Sequence, residues 1–211
     1  MNIDNLTRVF FHEIGHFISQ ELNFKLFNIG LGTEHLWIQP YKFENYIDYG
    51  GGTKPKKPKN YQPKKIGNIE NPAHYIANSI YGCLIQTLYL KSIKEYEFNF
   101  CFSIDDSANG KHDVTDFAST NLYFNGTKRR AIIDFIKNEY ITQLENDTDH
   151  LKKLFEISPL HFASDFNEKR LLDIQSIKNS LKDFLNEHEQ YYSLLIKKIE
   201  EIKTRDNKEL R

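Results

Sequence analysis

The chain has 211 residues, with 28 Lys and Arg against 29 Asp and Glu, for a net charge of -1. That balance lacks the basic excess expected of a nucleic-acid binder and gives no pull toward an acidic membrane. No apolar run reaches the ~18 residues a membrane span requires, whereas 39% hydrophobic and 14% aromatic residues suffice for a core.

The predicted class is mainly α (α+β), with a short β region after the first helix and a long C-terminal helix. Residues 1–160 read as one helical domain. Residues 161–211 read as a helical extension, part of that domain or an oligomerisation arm. The N-terminus, Met1-Asn2-Ile3-Asp4-Asn5, has no basic stretch leading into an apolar one, so no secretory leader is expected. Cys83 and Cys101 lack C-x-x-C spacing and read as separate thiols of a reducing compartment, with neither a disulfide nor a thiolate–zinc site expected. A cytoplasmic location follows. No G-x-x-x-x-G-K-[ST] loop and no internal repeat is present.

The first helix, capped by Asn5 or Thr7, runs to about Leu22. It carries His12-Glu13-Ile14-Gly15-His16 inside the apolar flanks Val9-Phe10-Phe11 and Phe17-Ile18. Residues four apart share a helix face, so His12 and His16 can offer two imidazole nitrogens to one ion. Glu13 then stands beside the ion as a general base for water. Two histidines and a glutamate in an apolar helix need partners, because unpaired buried polar groups are costly. Zinc satisfies all three, taking nitrogen ligands and keeping a fourth position for water. Structural histidines are the bland alternative.

Phe24 to Tyr41, interrupted by Gly30 and Gly32 and ended by Pro40, reads as one or two short strands. Phe27–Leu31 or Leu36–Gln39 would serve either as a substrate-binding edge or as an ordinary core hairpin. Gly50 to Lys65, with six lysines from residue 54 onward, reads as a mobile solvated loop. Asn71-Pro72 opens a helix reaching about Lys91. Phe98–Ile104 alternates like a strand, and Asp105–Lys111 is a polar loop. A helix starts at His112-Asp113, and Asn125-Gly126-Thr127 is a turn. Helices follow over Ala131–Leu144 and Asp149–Ile157. Asp165 and Glu168 suggest a capping box opening a long helix. Its stripe is Ile174, Ile177, Leu181, Phe184, His188, Tyr191, Leu195 and Ile202. The stripe would pack on the body or pair with a second copy.

A catalytic zinc needs a third protein ligand. The metzincin spacing is absent, because Ser19 and Leu22 stand where it requires Gly and His. Glu70, His74, Asp105, Asp106, Asp113 and Asp116 remain as candidates.

Three segments taken in order resemble the zinc peptidase domain of FtsH-type proteases: His12-Glu13-Ile14-Gly15-His16-Phe17, Ile76-Ala77-Asn78-Ser79-Ile80-Tyr81-Gly82-Cys83-Leu84-Ile85-Gln86, and Gly110-Lys111-His112-Asp113-Val114. The resemblance covers roughly residues 5 to 125. It implies hydrolysis of peptide or unfolded protein substrates, zinc as cofactor and Asp113 as third ligand. The chain departs from the pattern at Gln86, where the family carries an acid, in the Lys/Pro loop, and in having neither ATPase domain nor membrane anchor. An ATPase would then be a separate partner. A second resemblance, to ImmA/IrrE-type regulatory peptidases, rests on His74-Tyr75-Ile76-Ala77-Asn78 and puts His74 at the third-ligand place. Two further alternatives are a peptidase-like binding module without turnover and a structural scaffold acting through the tail.

Overall fold

The computed structural model describes residues 5–59, 69–105 and 108–206. It is mainly helical, with a small antiparallel sheet after the first helix and a long helix near the C-terminus, as the sequence predicts.

Helix α1 (Asn5–Phe27) runs about a turn past its expected end. Phe10, Phe11, Ile14, Phe17, Ile18 and Leu22 are buried, because the sheet and two other helices surround it. Each such side chain contributes about 1.5–3 kcal/mol on burial. The left-handed residue Asn28 (φ 55), followed by Gly30 and Gly32 (both φ 76), turns the chain back. Glu21 fixes this turn. It accepts from Thr33 N at 2.7 Å and pairs with Lys178 at 2.8 Å.

Strands β1 (Thr33–Lys42) and β2 (Ile47–Pro55) form a hairpin. With β3 (Arg170–Leu172) they make an antiparallel sheet in the order β2-β1-β3. Two expectations are corrected here. Gly50–Gly52 is strand rather than loop, with Gly52 opposite Trp37 and Gly51 opposite Ile38. A Cβ on Gly52 would lie 2.0 Å from the Trp37 ring, so the glycines make room for it. The expected substrate-binding edges also fail. Leu36–Gln39 lies in the central strand, and Phe27–Leu31 is helix end and turn. The loop's lysines at 64 and 65 fall outside the described residues.

Helix α2 (Pro72–Lys91) starts with proline in its first turn, as predicted. It lies so close to α1 that a Cβ on Gly15 would stand 2.2 Å from the Tyr81 carbonyl oxygen. Phe98–Cys101 forms the short helix α3, not a strand. Phe98 and Cys101 face inward together, a spacing of three that suits a helical turn. Cys101 is joined to Cys83 by a disulfide, which corrects the expectation of separate thiols. The turn carries residue 101 back onto α2, and spacing along the chain says nothing of such a return.

Helix α4 (Lys111–Ser119) follows. Then α5 (Gly126–Phe135), capped by Asn125, runs through a π turn into α6 (Ile141–Glu145). Helix α7 (Thr148–Phe155) is capped by Asp147. The capping box at Asp165 is not formed. Asp165 and Glu168 pair with Arg170 at 2.8 and 2.7 Å, and Asp173 caps α8 (Ile174–Ser180) instead. The chain breaks at Leu181 before α9 (Lys182–Thr204), so the expected single long helix is two.

The stripe of α8 and α9 is buried against the body, with Tyr192 rather than Tyr191 on its inner face. Polar contacts pin it there. Tyr192 OH donates to Asn23 Oδ1 and contacts Ser19 Oγ, each at 2.8 Å. Tyr81 OH contacts His188 Nε2 at 2.8 Å and Tyr140 OH at 2.9 Å, and His188 Nδ1 meets His150 Nε2 at 2.7 Å. No helix among the described residues is long and apolar enough to cross a membrane.

Candidate metal centre

His12 and His16 lie one turn apart in the middle of α1, both buried, and their rings converge. Their Nε2 atoms are 3.2 Å apart. Asp113, in the first turn of α4, closes the triangle. Its Oδ2 lies 3.2 Å from His12 Nε2, and its Oδ1 lies 3.3 Å from His16 Nε2. One ligand atom from each of the three residues lies within 4.8 Å of the others, close enough for all three to reach a common ion. Asp113 Oδ2 is buried with no hydrogen-bond donor aligned on it. Its near neighbour is His12 Nε2 at 3.2 Å, and a cation held between the two would serve both.

The surroundings orient these groups. His16 Nδ1 donates to the Asn78 carbonyl at 2.9 Å, leaving Nε2 to face the triangle. His12 Nδ1 lies 3.6 Å from Cys101 Sγ. Helix α2 passes directly beneath both rings, and a Cβ on Gly82 would stand 2.4 Å from His16 Nε2 and 2.9 Å from His12 Cε1. Burial opposes a charge on His16, yet Asp113, Glu13 and the Asn78 carbonyl outweigh it and push its pKa up to about 9. Burial likewise opposes charge on Asp113, but the two histidines hold it well below the usual carboxylate range. Without a metal, the site therefore keeps a proton on His16 against an ionised Asp113.

Glu13 is buried one residue along from His12. Thr53 Oγ1 donates to its Oε2 at 2.8 Å, and a Cβ on Gly51 would meet its Cγ at 2.6 Å. Strand β2 thus lies against Glu13 and fixes its carboxylate.

The other third-ligand candidates stand elsewhere. His74 bonds Asn23 Oδ1 through Nδ1 at 2.7 Å, and Asp105 accepts from Ser103 at 3.0 Å. Glu70 and Asp116, with His74, line a neighbouring cleft. Asp106 lies outside the described residues. A second group, His12 with Cys83 and Cys101, also has its ligand atoms close together. The two sulfurs are bonded to each other, which removes them as thiolate ligands. Thr53, Asn78 and Gly82 were not foreseen as parts of the site. Among them only Gly82 gave a hint, as a glycine inside an otherwise strong helix pattern.

No family model, no curated protein and no solved structure matches this chain.

Proposed function

We propose that the protein is a zinc-dependent peptidase in which His12, His16 and Asp113 hold the metal and Glu13 is the general base. The observation that carries this reading is the convergence of two imidazole nitrogens, 3.2 Å apart, on one carboxylate whose Oδ2 lies 3.2 Å from His12 and whose Oδ1 lies 3.3 Å from His16, with Glu13 the next residue along the helix from His12. Bound there, zinc would act as a Lewis acid toward water and the scissile carbonyl and would bring the pKa of water down to about 7. Glu13 takes the proton of the attacking water and passes it to the leaving amine. Thr53 holds Glu13 Oε2 in place for both transfers. Asn78 keeps His16 in the tautomer that directs Nε2 to the centre. Strand β2, the outer strand beside Glu13, offers an extended substrate backbone a line to pair with.

The resemblance to FtsH-type peptidase domains points the same way, since it puts the third ligand at Asp113 and an unfolded polypeptide as substrate. The ImmA/IrrE-like alternative places the third ligand at His74, which is committed to Asn23. The test is Glu13→Gln. Elemental analysis should find the zinc of the parent retained, while cleavage of an unfolded casein falls by about 10²-fold or more, the scale of a lost general base. A variant that cleaves as fast as the parent overturns the assignment of Glu13. A parent holding zinc without cleaving any unfolded protein favours the binding module.

A further inference from the structure

Two ligand sets meet at His12. Its Nε2 faces His16 and Asp113, and its Nδ1 lies 3.6 Å from Cys101 Sγ. His12, Cys83 and Cys101 each place a ligand atom within 4.8 Å of the others, just as His12, His16 and Asp113 do. All three residues of the second set are buried. A histidine that binds metal through one nitrogen ordinarily donates from the other to a carboxylate, a carbonyl or water. His12 has a bridge sulfur there instead, which is a weak acceptor. Sulfur becomes a strong metal ligand only as a thiolate, and the bridge prevents that.

The bridge also supports part of the first set. Cys83 stands in α2 and Cys101 ends α3, so the bond ties the two helices together. Gly110 N donates to the Cys101 carbonyl at 3.1 Å, and a Cβ on Gly110 would lie 2.2 Å from Cys83 Sγ. Gly110 caps α4, three positions before Asp113. The start of α4 therefore rests on the two cysteines. Helix α3 is a single turn, and Phe100 within it and Ile104 just beyond it are exposed, so opening this turn is a small local event.

We propose that the Cys83–Cys101 bridge is a redox switch that moves the metal: once reduced, Cys83 and Cys101 join His12 Nδ1 in a second site for a thiophilic dication such as zinc. A dithiol supplies the two electrons and two protons, its own sulfurs forming a disulfide as the Cys83–Cys101 bond breaks. Each cysteine then gives its thiol proton to solvent as its sulfur binds the ion. A neutral imidazole has one nitrogen lone pair to offer, so His12 serves one set at a time. In the first set it binds through Nε2. In the second it binds through Nδ1, and its Nε2–H faces Asp113 Oδ2, 3.2 Å away. Thiolates suit zinc better than a carboxylate does, which sets the direction of transfer. The inference shares the metal centre with the proposed function and requires no turnover.

Cobalt(II) is the probe, because thiolate ligation gives it a sulfur-to-metal charge-transfer band in the near ultraviolet. Full-length protein is incubated with excess cobalt(II), freed of unbound ion and treated with a phosphine, which opens disulfides, leaves as the phosphine oxide and offers no thiol of its own. Oxidised protein should hold one cobalt per chain without the band. Reduced protein should gain the band at unchanged cobalt content, with two thiols titrated after denaturation. Cys83→Ser/Cys101→Ser should hold cobalt and lack the band with or without the phosphine. In Asp113→Asn, which disables only the first set, cobalt should be retained after reduction alone. A bridge that resists the phosphine in the folded protein, or reduced protein without the band, overturns the switch. Two cobalt ions per reduced chain overturn the sharing of His12. Oxidised parent protein without cobalt overturns the proposed function, while the band in reduced Asp113→Asn still supports the thiolate site.

Discussion

At the scale of residues, the centre divides into a part written locally and a part written at long range. His12 and His16 were legible because four residues make one helical turn, and the structure turns both rings to a common point. Asp113 stands 97 positions beyond His16, and no periodicity links them; only the resemblance singled it out. Replacing it separates the candidates. Asp113→Ala should abolish zinc retention in protein purified without added metal, and His74→Ala should leave the zinc content unchanged. The reverse outcome would move the third ligand to α2. A proton count provides a further check. With the pKa of His16 raised to about 9, the metal-free site carries its proton at pH 7. Zinc binding at that pH should release it, read as a dependence of calorimetric heat on the ionisation enthalpy of the buffer. Heats equal in all buffers would show that the site is already neutral.

At the scale of elements, close approach decides what sequence rules misjudge. Glycine ranks among strand and helix breakers, yet Gly50–Gly52 is a paired strand because Trp37 and Glu13 need the space. A reading by propensity sees the three glycines and not the ring that fills their place. Phe98–Ile104 alternates as a strand does, yet it coils, because Phe98 and Cys101 reach the core together from one turn. The tail read as one helix because its apolar steps continue through Leu181; the break there leaves the stripe almost unchanged. Gly82 gives a test in which two effects oppose. Alanine in a helix interior is favoured over glycine by about 0.5–1 kcal/mol. At this position its methyl would meet two imidazoles at 2.4 and 2.9 Å, and overpacking costs about 1–3 kcal/mol. Gly82→Ala should therefore lower the melting temperature and weaken zinc binding. Gly126→Ala, where no atom lies within 4 Å, should do neither. A Gly82→Ala protein more stable than its parent, with full zinc, would show that α2 can move away without loss.

At the scale of the whole molecule, the class of fold was legible from helix patterns and the missing membrane-length apolar run, while the docking of the tail was not. An apolar stripe is satisfied equally by its own body and by a second copy. The structure buries it at home, with Phe184, Leu195, Ile199 and Ile202 in the core shared with α1 and α2. Deleting residues 182–206 should accordingly abolish the cooperative melting transition rather than merely alter the oligomeric state. A truncated chain that melts cooperatively would return the tail to the role of an assembly arm.

Stability against pH has two limbs at this scale. Burial, and then His150, pulls the pKa of His188 well below its ordinary 6.5. Its contribution is thus present above pH 6.5 and lost as pH falls below it. The raised pKa of His16 acts in the opposite sense in metal-free protein: its contribution is present below pH 6.5 and lost as pH rises through 9. Chelator-treated protein should lose melting temperature between pH 6.5 and 9, and zinc-loaded protein should not. At pH 7, zinc at a hundred times its dissociation constant adds about 2.7 kcal/mol, a rise of roughly 5–10 °C for a chain of this size. Identical pH profiles with and without chelator would mean that no metal displaces the His16 proton.

The hydroxyls and imidazoles under α9 have a consequence for uniqueness. Oil-like contact is forgiving: a helix slid by one turn, about 5.4 Å, presents much the same greasy face. Ser19, Asn23, Tyr81 and Tyr140 do not forgive, since Tyr192 and His188 would be carried out of their reach. Each polar group stranded by such slippage would cost about 1–3 kcal/mol. These contacts act as a ratchet tooth, admitting one longitudinal setting of the last helix and, through α1 and α2 beneath it, one setting of the frame that carries His12, Glu13 and His16.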